Sequence, residues 1–327
     1  MTASLSPGII RGLQTTSSPT GVFHILAIDH RDSIRVLIDP QDPDRVPAEV
    51  ITQLKLSIVQ HIATSATAVM LDPVYSAGQA IAAGALPGTV GFLSALEEQG
   101  YLGGGLARQT TLLSGWSVAK AKRLGAGGIK LLIFYHPRAG KATLRQEELV
   151  RSVVADCNRE EIPLFLEPMF YSLDPAVPVD STAFAAERSA IVVETVHRLS
   201  NLGAHVIKVP FPVDAKYDTN HSNWRKSCNQ LNDACRVPWA LLSGGDPFDS
   251  FKAQLRIACE CGCSGFMVGR ALWREVITAK ENDRQGILRS TVLCRFHELS
   301  DIASRLGQGW MSRHSLPAID DDWYRGY

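Results

Sequence analysis

Leu202-Gly-Ala-His-Val-Ile-Lys208 and Leu124-Gly-Ala-Gly-Gly-Ile-Lys130 share one pattern, L-G-A-x-x-I-K, at two places in a chain of 327 residues. In each, the glycine reads as the end of a helix, where a residue without Cβ enters the left-handed region cheaply. A short apolar run then carries a lysine. Gly262-Cys-Ser-Gly-Phe-Met-Val-Gly-Arg270 repeats the order of helix end, strand and basic residue a third time. A helix that ends in glycine and feeds a buried strand is the unit of a parallel α/β fold.

Working outward, further apolar runs bounded by Gly, Pro or Asp predict strands at 23–29, 66–71, 102–107, 128–135, 163–168, 205–210, 239–243 and 265–269. Amphipathic stretches predict helices at 47–63, 90–98, 116–124, 146–159, 182–202, 223–235, 248–261 and 284–306. Eight strands alternating with helices point to a closed (β/α)₈ TIM barrel, a fold that commonly occupies roughly 250 residues as one unit. The expected organisation is an N-terminal arm over 1–20, a barrel over 21–307 and a C-terminal tail over 308–327. Pro210 and Pro212 each remove a backbone donor, so the sixth strand should end there.

The side chains are 45% hydrophobic and 20% charged, ordinary for a globular protein with one large core. Lys+Arg and Asp+Glu both total 33, so no global field favours nucleic acid or an anionic membrane, and an anion site must be local. No run approaches ~18 apolar residues, and the first twenty residues lack the pattern of a secretory signal. Seven scattered cysteines do not form a disulfide framework, which suggests a reducing, cytoplasmic setting. Cys259, Cys261 and Cys263 do not match a common zinc spacing, and the nine histidines show no H-x-x-x-H pair, so no metal site is expected. Gly103-Gly104-Gly105 follows no strand–helix fingerprint of a dinucleotide loop. The aromatic tail at Trp323-Tyr324 can dock on the barrel or on a neighbouring copy, which leaves a homo-oligomer open.

Lys130 and Lys208 stand in GGIKLLIFY and HVIKVPFP, where burial makes a charge expensive. An inward lysine near the carboxyl end of a barrel strand faces the mouth. If both enter one mouth, desolvation and the neighbouring ammonium lower an amine pKa, and one of the two can attack a ketone carbonyl. The resulting iminium would draw in the electrons released by C–C cleavage. Proton shuttles are expected among strand-end carboxylates: Asp29, Asp72 and Glu167. For Asp72 and Glu167 an N-cap or turn role before proline competes, and for Asp29 an ion pair with His30 or Arg31. Ser243-Gly244-Gly245 and Gly269-Arg270 end the last two strands, where barrels often bind phosphate through backbone N–H groups and a helix N-terminus. Arg31 is a further cation for a substrate phosphate.

These residues resemble the tagatose-1,6-bisphosphate aldolase family, whose class I members are (β/α)₈ barrels. The stretches that carry it are LAIDHRDS at 26–33, MLDPVY at 70–75, WSVAKAKRLGAGGIKLLIFY at 116–135, IPLFLEP at 162–168, IKVPFPVDAKY at 207–217, LLSGG at 241–245 and GFMVGRALW at 265–273. The resemblance implies Lys208 as the Schiff-base lysine, Glu167 as the proton-transfer residue, and Asp29 with Lys130 as polar partners. It also implies Ser243, Gly244, Gly245, Gly269 and Arg270 as the phosphate site. The implied reaction yields dihydroxyacetone phosphate and glyceraldehyde 3-phosphate without a metal or organic cofactor. Members commonly carry glutamine at the place of His30 and an acidic residue at that of Pro210. A related group cleaves sulfofructose 1-phosphate and shares the Asp-x-Arg, lysine, glutamate and Gly-Arg elements. The readings kept beside the first are thus another ketose-phosphate aldolase, a phosphosugar-binding regulatory barrel with little turnover, and an isomerase using Glu167 and Asp29 without covalent chemistry.

Overall fold

A computed structural model describes residues 5–325 and 327. Eight parallel strands close on themselves in chain order: β1 (Phe23–Ala27), β2 (Ala68–Leu71), β3 (Gly91–Ala95), β4 (Gly128–Phe134), β5 (Leu164–Met169), β6 (Val206–Pro210), β7 (Trp239–Leu242) and β8 (Gly265–Val268). β1 pairs with β8, with Ile25 opposite Met267, and no sheet edge remains. The expected (β/α)₈ barrel is therefore the fold. The three repeated glycines, Gly125, Gly203 and Gly262, have φ of 97°, 95° and 97°, the left-handed turn that their position between helix and strand required. The sixth strand ends at Pro210, as its missing donor dictates.

One part of the expected element order was wrong. Residues 90–98 hold β3, not a helix, and 102–107 are not a barrel strand. Val90, Phe92, Leu93 and Leu96 satisfy a helical spacing as well as a strand, and in so short a run periodicity does not decide. What decides is pairing: Val69 lies opposite Phe92 in β2, and Ser94 opposite Ile129 in β4. After β3 the chain makes an antiparallel excursion, pinned by bridges between Glu97 and Leu112 and between Leu102 and Gln109.

Two cores follow from the period-two alternation of the strands. Side chains facing outward, such as Leu26, Val69, Ile129, Leu166 and Ile207, join the surrounding helices in one large apolar layer. Those facing inward, among them Phe23, Ile25, Met70, Phe165, Val206 and Met267, fill the barrel. Phe23 and Phe165 meet edge to face at 5.5 Å near the amino end. That end is closed by helix Pro7–Thr16, which Ser6 caps through the Ile9 N–H, with Ile9 and Leu13 turned onto the inner core. Trp310 completes the seal, its indole N–H donating to Ser17 Oγ at 3.1 Å. Function is left to the opposite, carboxyl end.

Candidate active site

The inward alternation that stacks apolar side chains through the barrel delivers polar ones at its carboxyl end. Lys130 of β4, Glu167 of β5 and Lys208 of β6 continue the inward rows, and Asp29 follows β1 by two residues. With Ser243, Gly244, Gly245, Gly269 and Arg270 they line one cleft of about 180 Å³, open at the mouth. Of the site residues named from the sequence, all but Asp72 border that cleft, Arg31 included.

Lys130 is the hub. Its Nζ lies 2.8 Å from Asp29 Oδ2, 3.2 Å from Glu167 Oε2, and in direct contact with Glu97 Oε1. Burial disfavours its charge, yet Asp29, Glu97 and Glu167 outweigh burial and hold the ammonium well above its usual range. The expectation that a lysine pair would lower each other's pKa therefore fails for Lys130, because three carboxylates surround it. An amine held as a cation has no lone pair to offer a carbonyl.

Lys208 stands apart. Only 4% exposed, its Nζ lies 2.9 Å from Glu167 Oε1 and 3.8 Å from Met70 Sδ. Glu167 thus bridges the lysines; burial would raise its pKa, but Lys208 and Lys130 together draw it below the usual value. Burial likewise opposes the charge of Asp29, and Lys130 and Lys208 overcome it, leaving Asp29 ionised far below the usual carboxylate range. Asp29 Oδ1 and Glu167 Oε2 are buried acceptors without a hydrogen-bond donor among the described residues, although Glu167 Oε2 keeps its ion-pair contact with Lys130. Buried acceptors left open in a cleft are available to a ligand.

His30 does not compete for Asp29 as an ion. Its Nδ1 lies 3.7 Å from Asp29 Oδ1, and burial draws the imidazole pKa down to about 4, against the opposing pull of Asp29. The ring packs edge-on against Trp273 at 5.1 Å as a neutral group. Asp72 lies outside the cleft, contrary to its candidacy as a proton shuttle. Its Oδ1 accepts from the Val74 and Tyr75 N–H groups, the turn role that competed for it, while Oδ2 meets Ser76 Oγ and the fully buried Lys55.

The anion-binding side is built by β7 and β8. Gly244 and Gly245 have φ of 57° and 97°, and a Cβ on Gly245 would sit 3.1 Å from Arg274 Nη2 and 3.3 Å from Arg270 Cζ. Arg270 Nη2 donates to Gly244 O at 3.0 Å, and Arg274 Nη2 to Gly245 O at 3.0 Å, so two guanidinium groups frame the glycine turn. Gly269 N–H donates to Ser243 Oγ at 3.3 Å, joining the two strand ends. Arg270 opens the helix Arg270–Thr278, whose N-terminus therefore faces the same turn. Arg31 is buried and partly engaged, with Nη2 donating to Glu97 O at 2.7 Å and Nη1 to Glu98 Oε1 at 3.4 Å. Among the described residues no group of three or more His, Cys, Asp or Glu is arranged to hold a metal ion; the cation held by Asp29, Glu97 and Glu167 is Lys130 itself.

A family model described as DeoC/LacD family aldolase matches residues 23–275, most of the chain and all eight strands. The chain belongs to the DeoC/LacD aldolase family. As a member of that family it is a lyase of the aldolase type. Curated relatives of this aldolase include tagatose 1,6-diphosphate aldolase 2 of Streptococcus agalactiae serotype III (strain NEM316), 26% identical over 319 residues, covering 92% of this chain and 97% of the relative. Tagatose 1,6-diphosphate aldolase of Staphylococcus aureus (strain JH9) is 25% identical over 323 residues, covering 93% and 98%. Among solved structures, a Schiff base forming fructose-1,6-bisphosphate aldolase matches with a TM-score of 0.57 at 19% identity, over 89% of this chain and 98% of that one. Fructose-bisphosphate aldolase from Plasmodium falciparum gives 0.69 at 14% identity, over 94% and 98%. These structures share the barrel fold with the family member described here. None of its described helices is long and apolar enough to cross a membrane.

Glu97 is the carboxylate of the site that the sequence reading missed, and Arg274 went unnamed with it. Glu97 sits two residues past β3, the same offset as Asp29 past β1, and correct placement of that strand would have exposed it.

Proposed function

We propose that this chain is a class I aldolase that cleaves a ketohexose 1,6-bisphosphate, of the tagatose type, through an imine on Lys208. The observation that carries the proposal is the contrast between the two lysines: Lys130 is held as a cation by three carboxylates, whereas Lys208 has the single carboxylate Glu167 as its ion-pair partner. Lys208 first passes a proton to its ion-pair partner Glu167; the freed amine attacks the C2 carbonyl and, with one N–H proton moved to the former carbonyl oxygen, gives a carbinolamine, and Glu167 returns its proton to that hydroxyl, which leaves as water. A base removes the proton from the C4 hydroxyl, the C3–C4 bond breaks, and its electron pair enters the iminium to form an enamine. Glyceraldehyde 3-phosphate departs. Protonation of the enamine at C3 and hydrolysis of the imine then release dihydroxyacetone phosphate and restore the lysine.

Glu167 and Asp29 are the groups within reach for these proton transfers, and their open oxygens, Oε2 and Oδ1, support that role. Lys130 keeps the carboxylates ionised and its positive charge favours oxyanions at C2 and C4. The C1 phosphate would lie on Gly244, Gly245 and the Gly269–Arg270 helix start, with Ser243 and Arg270 as side-chain donors and Arg31 on the adjoining wall. The names of the curated relatives favour tagatose 1,6-bisphosphate as substrate. A cytoplasmic setting is part of the proposal, supported by seven free cysteines, six of them buried.

The test is turnover of a panel of ketose phosphates, including tagatose and fructose 1,6-bisphosphates and sulfofructose 1-phosphate, followed by aldehyde release. The bisphosphates should be cleaved by the natural chain, and folded Lys208→Ala should be inactive. Normal turnover in Lys208→Ala would refute the covalent route, and tight binding without product would favour a regulatory barrel.

A further inference from the structure

The phosphate side of the cleft at β7 and β8 accounts for one anion, but a bisphosphate carries two. In a closed barrel of eight strands in chain order, the ends of β3 and β4 lie across the mouth from those of β7 and β8. The excursion after β3 rises there. Its arms are tied by Leu102 N–H to Gln109 O and Gln109 N–H to Leu102 O, both 2.8 Å, and Thr110 Oγ1 accepts the Phe134 N–H of β4 at 3.1 Å. The outgoing arm contributes Gln99 and Gly100 to the cleft wall, as β4 contributes Phe134.

On the returning arm, half-buried Arg108 sits among three rings. Its Cζ lies 4.6 Å from the centre of Tyr101, 5.2 Å from Tyr171 and 5.7 Å from Phe134. Tyr101 and Phe134 brace each other edge to face at 4.9 Å. Arg108 Nε donates to Gly105 O at 3.2 Å, and no carboxylate among the described residues lies within 4.0 Å of its guanidinium. Aromatic rings fix the plane of a guanidinium without neutralising it, and leave its edge N–H groups to an anion. Arg31, which lines the cleft beside this excursion, is by contrast matched by Glu98.

We propose that Arg108 receives the second phosphate of the substrate, the one remote from the imine carbon, and thereby selects bisphosphates over monophosphates. This assignment rests on the aldolase reading for its substrate class. Binding can nevertheless be measured without chemistry, using a hexitol 1,6-bisphosphate and a hexitol 1-phosphate, neither of which has a carbonyl to condense with lysine. Calorimetry should give tighter binding of the bisphosphate to the natural chain. Arg108→Met should weaken the bisphosphate about 10- to 100-fold, the usual effect of losing a charge-assisted contact, and leave the monophosphate within about twofold, which also reports an intact fold. Arg108→Lys, which keeps the charge and loses the forked donors, should fall between them. A bisphosphate preference that survives Arg108→Met, its absence from the natural chain, or an equal loss for both ligands would overturn the assignment. Failure of Lys208 to form an imine would count against the covalent mechanism alone, since these affinities do not depend on it.

Discussion

Replacing Lys130 with methionine probes the electrostatic centre of the site. The substitution keeps most of the apolar stem and removes the ammonium shared by Asp29, Glu97 and Glu167. The side chains of all three acids are at least 90% buried, so solvent compensates their charge poorly. Removing one partner of a buried ion pair typically costs about 3–5 kcal/mol, because the remaining charge is left uncompensated. With the usual entropy of unfolding per residue, a chain of this size would lose about 4–7 °C in Tm. The pH dependence adds a sharper signature. In the natural chain Asp29 and Glu167 have pKa values lowered in the folded state. They contribute stability that is present above the unfolded carboxylate pKa and lost as pH falls through the folded value. In Lys130→Met the lowering weakens or reverses, so the Tm deficit should be largest near neutral pH and shrink in acid. Calorimetric melting of both chains from pH 7 down to about pH 2, through the unfolded carboxylate range, measures this. A variant with the natural Tm at neutral pH and an unchanged pH profile would refute the electrostatic account.

Lys55→Met should destabilise the fold by about 3–5 kcal/mol, because Asp72 is then buried without its cation. Since this pair lies outside the cleft, protein below its lowered Tm should still bind dihydroxyacetone phosphate normally, which titration would check. Acid should destabilise the natural chain through its histidines. Burial draws His24, His30 and His205 from 6.5 to about 4, so below pH 6.5 the unfolded state takes up protons that the folded state refuses. Tm should fall as pH drops from about 6.5 towards 4, and a flat profile over that window would contradict the buried neutral rings.

The sequence was most legible where local backbone chemistry and tertiary structure agree. Gly125, Gly203 and Gly262 mark helix ends because the chain must turn left-handed there, and the lysines that follow are conspicuous because the strands around them are apolar. Legibility failed at β3. The run around Phe92 and Leu96 fits two periods, and only its pairing with β2 and β4 selects one. That error hid Glu97, since a carboxylate inside an assumed helix reads as a solvated charge. Lys55 was invisible for a related reason: it lies in helix Ala48–Ile62, and only the packing of that helix against the β2 end brings it to Asp72. Ionisation was also beyond the sequence. Proximity of two lysines suggested a lowered pKa, but the sign at Lys130 depends on three carboxylates contributed by separate strand ends.

The central claim is that Lys208, and not Lys130, is the amine that bonds to substrate. Its most direct test is incubation with dihydroxyacetone phosphate, reduction with borohydride, and peptide mass spectrometry to locate the adduct. The account predicts a stable secondary amine on Lys208 and none on Lys130; an adduct on Lys130, or none from demonstrably folded protein, would contradict it.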